Sequence, residues 1–193
     1  MRPPRIIKPY VISFARQVVR SIDIELGYIP CAPLDRLSDG DCFPTIEARV
    51  SSHGGQAVIG WAIWERAKVL IEAEFHSVWQ SPDGVLHDIV PRTEPIPRIL
   101  FLRDPHRRYQ GRQVNNIRKP LAHDKDVKEF VRIFDTAHRL WNEGELAEYH
   151  GQVDLMKHPK ILAIEREKEA ICMKIEQRYG PWQFEDAVAS TSL

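Results

Sequence analysis

The feature that most constrains the fold is a stretch of period-two hydrophobicity over residues 56–90, since side chains that alternate between two faces are typical of β-strands. The pattern predicts three strands, at 56–65, 69–81 and 85–90. The first is apolar on both faces, as in a covered inner strand. Pro82-Asp83-Gly84 favours a three-residue hairpin loop with Gly84 in the left-handed conformation. These residues therefore predict a small antiparallel sheet.

Helical spacing of apolar residues flanks this sheet. It predicts an N-terminal helix over 10–24 ended by Gly27, a helix capped by Asp41 and stopped by Gly54, and two C-terminal helices over about 127–141 and 161–175. Residues 30–40 read as a loop, and 99–102 as an edge strand followed by a loop to about 124. The polar run 115–120 is expected to dock the C-terminal helices on the sheet.

The predicted fold class is α+β, with a small antiparallel β-sheet packed on a Cys-bearing helix, an N-terminal helix and two C-terminal helices. The predicted domains are an α+β core over 1–124 and a C-terminal helical extension over 125–193, packed on the core.

Composition argues against several classes of protein. No run approaches the roughly 18 apolar residues of a membrane span, and the charged, proline-rich start does not resemble a signal peptide. Cys31, Cys42 and Cys172 are too few for a disulfide framework or a four-thiolate zinc site. We therefore expect a cytoplasmic location with reduced thiols, no membrane association and no cofactor.

The net charge is zero, with 27 basic and 27 acidic side chains, but it is unevenly distributed. Residues 91–119 carry 8 basic and 2 acidic side chains, between two acidic regions. This connector has few aromatic rings to stack bases, which favours a surface segment that pairs with acidic parts of the chain over an RNA- or phosphate-binding strip. A protein or peptide substrate is expected rather than nucleic acid.

Three side chains could together perform nucleophilic chemistry. Cys42 follows the predicted cap Asp41 at a helix start, where unpaired N–H groups favour a thiolate and can stabilise an oxyanion. His76, in the second strand, could act as the base. Asp88, in the third strand, could orient the imidazole ring. The three form a candidate catalytic triad.

The hairpin register decides whether His76 and Asp88 can meet. With a three-residue loop Ser81 opposes Val85, and the same register sets Asp88 opposite Val78. Asp88 is then a diagonal neighbour of His76 on the same face of the sheet. A loop one residue longer or shorter would place the two on opposite faces.

Four motifs follow one another over about residues 40–91: Asp41-Cys42, His76-Ser-Val-Trp79, Pro82-Asp-Gly84 and Asp88-Ile-Val-Pro91. Their order resembles the core of transglutaminase-like, papain-type cysteine enzymes. The segments Gly60-Trp-Ala-Ile-Trp-Glu65 and Glu72-Ala-Glu-Phe-His76 are also similar to a group of bacterial and phage proteins. The resemblance implies attack of the Cys42 thiol on a peptide, isopeptide or glutamine-type amide, with His76 as base and then acid and Asp88 fixing its tautomer.

A substrate cleft beside this triad is expected to be lined by four residues, which are Trp61, Trp64, Glu74 and Trp79. Two other interpretations remain open. One is a non-catalytic interaction module, in which the connector and tail bind a partner. The other is a metal site for Mn, Fe or Zn on one sheet face, formed by Glu72, Glu74, His76 and Asp88.

Overall fold

The computed structural model describes residues 1–34, 41–92, 95–144, 146 and 153–182. Its helices are α1 (Pro9–Val19), α2 (Cys42–His53), α3 (Lys125–Trp141) and α4 (Pro159–Tyr179), with a 3₁₀ turn at Leu155–Lys157. Its strands are β1 (Leu26–Pro30), β2 (Gln56–Arg66), β3 (Leu70–Gln80), β4 (Leu86–His87), β5 (Arg98–Arg103) and β6 (Ile117–Pro120). Four helices with an antiparallel sheet confirm the predicted α+β class.

The sheet has the strand order β1-β5-β2-β3-β4, and β6 also pairs with β3. β2 pairs with β3 along its whole length, so β4 and β6 share the other edge of β3. β6 covers residues 70–73 of that edge and β4 covers 79–80. Within the described residues, positions 74–78 have no strand partner there. α2 packs against β3, and its Phe43 ring lies 5.3 Å from that of Phe75, within this gap.

The first and last strands of this order meet. After β4 the Asp88 N–H donates to the Pro30 carbonyl (3.0 Å), and the Ala32 N–H donates to the Asp88 carbonyl (2.8 Å). The chain thereby leaves β3 and joins the end of β1 through a parallel bridge between Cys31 and Asp88. The sheet must curl for its two outer strands to touch, and Asp88 is held between them.

Each face of the curled sheet has its own hydrophobic cluster. α1 covers one face, which contributes Trp61, Ile63, Ile71, Ala73, Phe75, Leu100 and Leu102. The opposite face encloses Ile29, Val58, Ala62, Trp64, Val78, Ile99 and Phe101. α3 and α4 pack on each other and on Val69 and Leu70 at the start of β3. The division into domains at residue 124 stays a prediction.

Several predicted boundaries differ from the structure. The first helix ends at Val19 rather than 24, because Arg20 turns into the left-handed conformation (φ 55°, ψ 39°), and β1 follows, which the sequence did not predict. β6 was likewise not predicted, and β4 is shorter than 85–90. Parts of the predicted loop (35–40) and of the predicted C-terminal extension (145, 147–152 and 183–193) lie outside the described residues.

Candidate active site

Cys42 is the first residue of α2, and its position follows from a local helix-start pattern. The Asp41 carboxylate accepts the Phe43 N–H (3.1 Å), as an N-cap does, and the Thr45 hydroxyl donates to the Asp41 carbonyl (2.6 Å). Pro44 is tolerated in this first turn because its missing N–H would have no helical partner. Cys42 is 8% exposed. The predicted cap is confirmed, and the thiol lies at the positive end of the helix dipole.

Trp79 fixes the other end of α2 to the sheet. Its indole N–H donates to the Gly54 carbonyl (2.9 Å), directly after the helix. A Cβ on Gly55 would lie 2.1 Å from the Gln80 carbonyl oxygen, so glycine is needed for the chain to pass this close to β3. Trp79 therefore positions the Cys42 helix on the strand that carries His76.

His76 and Asp88 are in direct contact. His76 Nε2 lies 3.1 Å from Asp88 Oδ1, and the two residues are 2% and 0% exposed. The predicted hairpin register is confirmed, since Trp79 opposes His87 and the Ser81 N–H donates to the Val85 carbonyl. The turn at 82–84 therefore places the histidine and the carboxylate on one face.

The His76 ring also interacts with Cys42. Burial acts to lower the pKa of His76, but hydrogen bonds to Asp88 and Cys42, together with their negative charges, raise it to about 10. Asp88 occupies Nε2, which leaves Nδ1 as the other ring nitrogen. The surroundings thus favour an imidazolium at neutral pH, between a carboxylate and a thiol.

The second oxygen of Asp88 is also engaged. Arg92 Nη2 and Nε lie 2.7 and 3.3 Å from Asp88 Oδ2, and Cys31 Sγ lies 3.8 Å from the same atom. Although burial acts to raise it, the contacts with His76 and then Arg92 lower the pKa of Asp88 to about 2. Burial and the Asp88 charge raise the pKa of Cys31 to about 12. The two thiols near Asp88 therefore have opposite surroundings, since only Cys42 has an imidazole.

The four residues expected to line a cleft are distributed over both faces of the sheet. Trp61 is fully buried, and its indole donates to Asp104 Oδ2 (3.0 Å), which anchors the chain after β5. Trp64 lies on the opposite face, where its indole donates to Glu74 Oε2 (2.7 Å). Trp79 packs under α2. The structure thus brings Trp64 and Glu74 together near Asp88, and separates both from Trp61 and Trp79.

The four residues of the alternative metal site have other partners. Glu72 pairs with Arg118 (2.5 Å), Glu74 accepts from Trp64, and His76 pairs with Asp88. Within the described residues, no group of three or more His, Cys, Asp or Glu side chains is arranged to hold a metal ion. Only His76 and Asp88 contact each other, whereas Glu72 and Glu74 are each engaged by another residue.

Sequence reasoning missed two residues beside the candidate triad. Arg92 was counted only as part of the basic connector, although its spacing of four from Asp88 is a possible signal. Tyr109 stacks on Phe43 with ring centroids 3.7 Å apart, and burial, followed by the charges of Asp41 and Cys42, raises the pKa of its phenol. No short-range pattern links Tyr109 to α2, because the loop after β5 brings it there.

No protein-family model, curated protein or solved structure matches this chain. The resemblance to transglutaminase-like, papain-type enzymes therefore stays a prediction. Among the described helices, none combines the length and apolar character needed to cross a bilayer.

Proposed function

We propose that the chain is a cysteine hydrolase or acyltransferase that acts on an amide, with Cys42 as nucleophile, His76 as proton carrier and Asp88 as the group that orients His76. The observation that carries the proposal is the buried His76 ring, bonded to Asp88 through Nε2 at 3.1 Å, whose pKa is raised by Asp88 and by Cys42 at the start of α2. A nucleophile beside a base that a third group orients is the arrangement of known covalent catalysts.

The proposed reaction balances with these three groups. In the proposed resting state the Cys42 proton is already on His76, in keeping with the raised pKa of that ring, and the Cys42 thiolate attacks the carbonyl carbon of the amide. The Cys42 N–H is the first-turn donor left for the oxyanion, because Asp41 engages the Phe43 N–H and Pro44 has none. As the C–N bond breaks, His76 gives its proton to the leaving amine and a thioester remains.

The second half of the reaction releases the acyl group. Neutral His76 takes a proton from water or from an amine, which then attacks the thioester, and the Cys42 thiolate leaves. Water gives hydrolysis and an amine gives acyl transfer. Asp88 stays ionised throughout, in keeping with its pKa of about 2, and holds the imidazole in one orientation.

The experiment that tests the proposal is alkylation of the full chain with iodoacetamide at pH 6–9, with each thiol followed by peptide mass spectrometry. At pH 6 Cys42 is expected to react about tenfold faster than Cys31 or Cys172. The thiolate is the reactive form, and at this pH a thiol without an imidazole partner is almost fully protonated. Burial raises the pKa of both Cys31 and Cys172, so they serve as controls within the same chain.

Two variants complete the design. His76→Gln removes the proton carrier and should bring the Cys42 rate at pH 6 down to that of the other thiols, whereas His53→Gln, on the exposed end of α2, should leave it unchanged. Equal, slow labelling of all three thiols in the unaltered chain would contradict the proposal. The buried His76–Asp88 pair would then be structural, as in a non-catalytic interaction module.

Labelling is followed by an activity assay with a glutamine-containing peptide and a fluorescent primary amine. Transfer would attach the amine to the peptide, and hydrolysis would convert glutamine to glutamate. Cys42→Ser should abolish both products while the chain stays folded. If Cys42 is alkylated rapidly but the glutamine side chain is neither hydrolysed nor joined to the amine, the substrate is a peptide or isopeptide amide instead.

A further inference from the structure

Arg92 contacts Asp88 on the side away from His76. Its Nη2 and Nε both point at Asp88 Oδ2, at 2.7 and 3.3 Å, while His76 occupies Oδ1. Asp88 is fully buried, and the Arg92 side chain is 22% exposed. A buried carboxylate is therefore shared between two cationic groups, of which His76 is the one that interacts with Cys42.

The guanidinium of Arg92 is itself held in place. It lies over the Trp64 ring, 4.9 Å from the ring centroid, and the Trp64 indole donates to Glu74. The charges of Asp88 and Glu74 both act on Arg92. The two residues expected to line a cleft, Trp64 and Glu74, therefore hold Arg92 in place, and Arg92 in turn holds the Asp88 carboxylate.

We propose that Arg92 is a positioning residue for the Cys42–His76 pair, which fixes the Asp88 carboxylate and offsets its charge so that the Cys42 thiolate can form beside it. This inference rests on the proposed function, because it concerns the ionisation of the same thiol.

The balance of buried charges around the Cys42 sulfur favours this role. With Arg92 present, Asp88 and Arg92 offset each other, and the Cys42 thiolate is balanced by the His76 imidazolium. Without Arg92 two negative groups, Asp88 and the thiolate, share one imidazolium in a site that water barely reaches. A like charge at short range in a poorly solvated site disfavours ionisation. The thiolate would then form only at higher pH.

Among the described residues, four other titratable side chains surround Asp88 and Arg92. His76 faces it from β3, Cys31 from the end of β1, and Cys42 from α2. Glu74 faces the guanidinium from β3 and is retained in every Arg92 variant, so it does not alter the comparison between them. Cys31 stays protonated over the range of the test, since its pKa is about 12, so it adds no charge.

The test is the pH profile of Cys42 alkylation by iodoacetamide in the full-length chain. Arg92→Met and Arg92→Gln both remove the charge, and the glutamine can still donate a hydrogen bond to Asp88. Both variants are expected to shift the low-pH limb of the profile by about one unit toward higher pH. At a fixed pH on that limb, Cys42 alkylation is then about tenfold slower. Arg92→Lys keeps the charge and should move the limb less.

The matched control is Arg98→Met, since the Arg98 guanidinium also lies over an aromatic ring, that of Tyr28 at 3.8 Å, without touching Asp88. This control should leave the limb in place. If Arg92→Gln lowers the rate of Cys42 alkylation equally at every pH and leaves the limb in place, the role of Arg92 is purely structural. That result would overturn the inference and leave the proposed function intact. An unaltered chain whose Cys42 labels no faster than Cys31 would overturn both.

Discussion

Glu72 and Asp88 place a carboxylate beside an arginine at either end of the gap in the β3 edge. Glu72 lies opposite Arg118 of β6, with Arg118 Nε 2.5 Å from its carboxylate, and its other oxygen accepts the Asn116 amide (3.1 Å). Asp88 follows β4 and is bonded to Arg92 and His76. Both carboxylates are therefore paired with an arginine, but the further partner is the Asn116 amide for Glu72 and the His76 imidazole for Asp88.

That partner decides what each carboxylate does. Burial raises the pKa of Glu72, and Arg118 only partly offsets it, whereas the pKa of Asp88 falls to about 2 because a second cation, His76, contributes. An amide can hold a carboxylate but cannot exchange a proton at neutral pH, and an imidazole can do both. Buried ion pairing alone therefore does not mark a catalytic group.

The Glu72 network connects the sheet to α3. Arg118 Nη1 donates to Asn115 Oδ1 (3.2 Å), and the Asn115 amide donates to Asp135 of α3 (2.9 Å). The Arg118 guanidinium also lies over the Phe134 ring, 5.1 Å from its centroid. The predicted docking role of residues 115–120 is confirmed by these contacts, which join elements instead of reaching a thiol.

The largest effect is expected from Asp88→Asn. The change leaves two cations beside a neutral amide in a buried site, which should lower the free energy of unfolding by about 3 kcal/mol. It should also slow Cys42 alkylation, because the His76 ring loses its orienting carboxylate. Urea unfolding measures the first effect and mass spectrometry the second. An unchanged labelling rate in folded Asp88→Asn would remove Asp88 from the proposed triad.

Arg118→Met is the matched change in the other network, with a smaller expected cost. Glu72 loses its cation, but burial has already raised its pKa, so protonation relieves the unpaired charge. We expect the free energy of unfolding, measured by urea titration, to fall by about 2 kcal/mol. The rate of Cys42 alkylation should stay unaltered. A fall in labelling as large as that in Asp88→Asn would show that the two networks act as one.

The pH dependence of stability should also separate the networks. A group whose pKa is raised on folding stabilises the fold fully below its unfolded pKa, and loses that contribution as pH rises to its folded pKa. For His76 this window runs from 6.5 to about 10. The free energy of unfolding should fall by up to about 1.4 kcal/mol per pH unit within it. Urea titrations at pH 7 and 8 should show this slope in Cys42→Ala, where no thiolate formed on folding cancels the proton gained by His76, and a flatter one in Cys42→Ala/His76→Gln.

Local sequence signals predicted the parts of the candidate site that depend on near neighbours. The Asp41 cap needs only the next few residues, and the Pro82-Asp83-Gly84 loop sets the register of the strands beside it. These two features bring Cys42 to a helix start and His76 to Asp88. Both could therefore be derived before any tertiary contact was known.

Features that depend on distant segments were not predicted. β1 is short and contains glycine and proline, so its five residues acquire strand structure by pairing with β5, some seventy positions later in the chain. Arg92 is close to Asp88 in sequence, but its guanidinium also lies over the Trp64 ring of β2, a contact between distant segments. Trp61 and Trp64 were assigned to one cleft, although three residues along a strand place them on opposite faces.

The smallest effect is expected at the outer end of the Glu72 network. Asn115→Ala removes an exposed hydrogen bond to Asp135 and a weaker one from Arg118, which together are worth about 0.5 kcal/mol. Asn116→Ala should cost about three times as much, because its amide donates to the largely buried Glu72 carboxylate. Neither residue touches Asp88 or His76, so both variants should keep the Cys42 labelling profile of the unaltered chain. A shifted profile in Asn116→Ala would mean that Glu72 and His76, four residues apart on one face of β3, communicate through the strand they share.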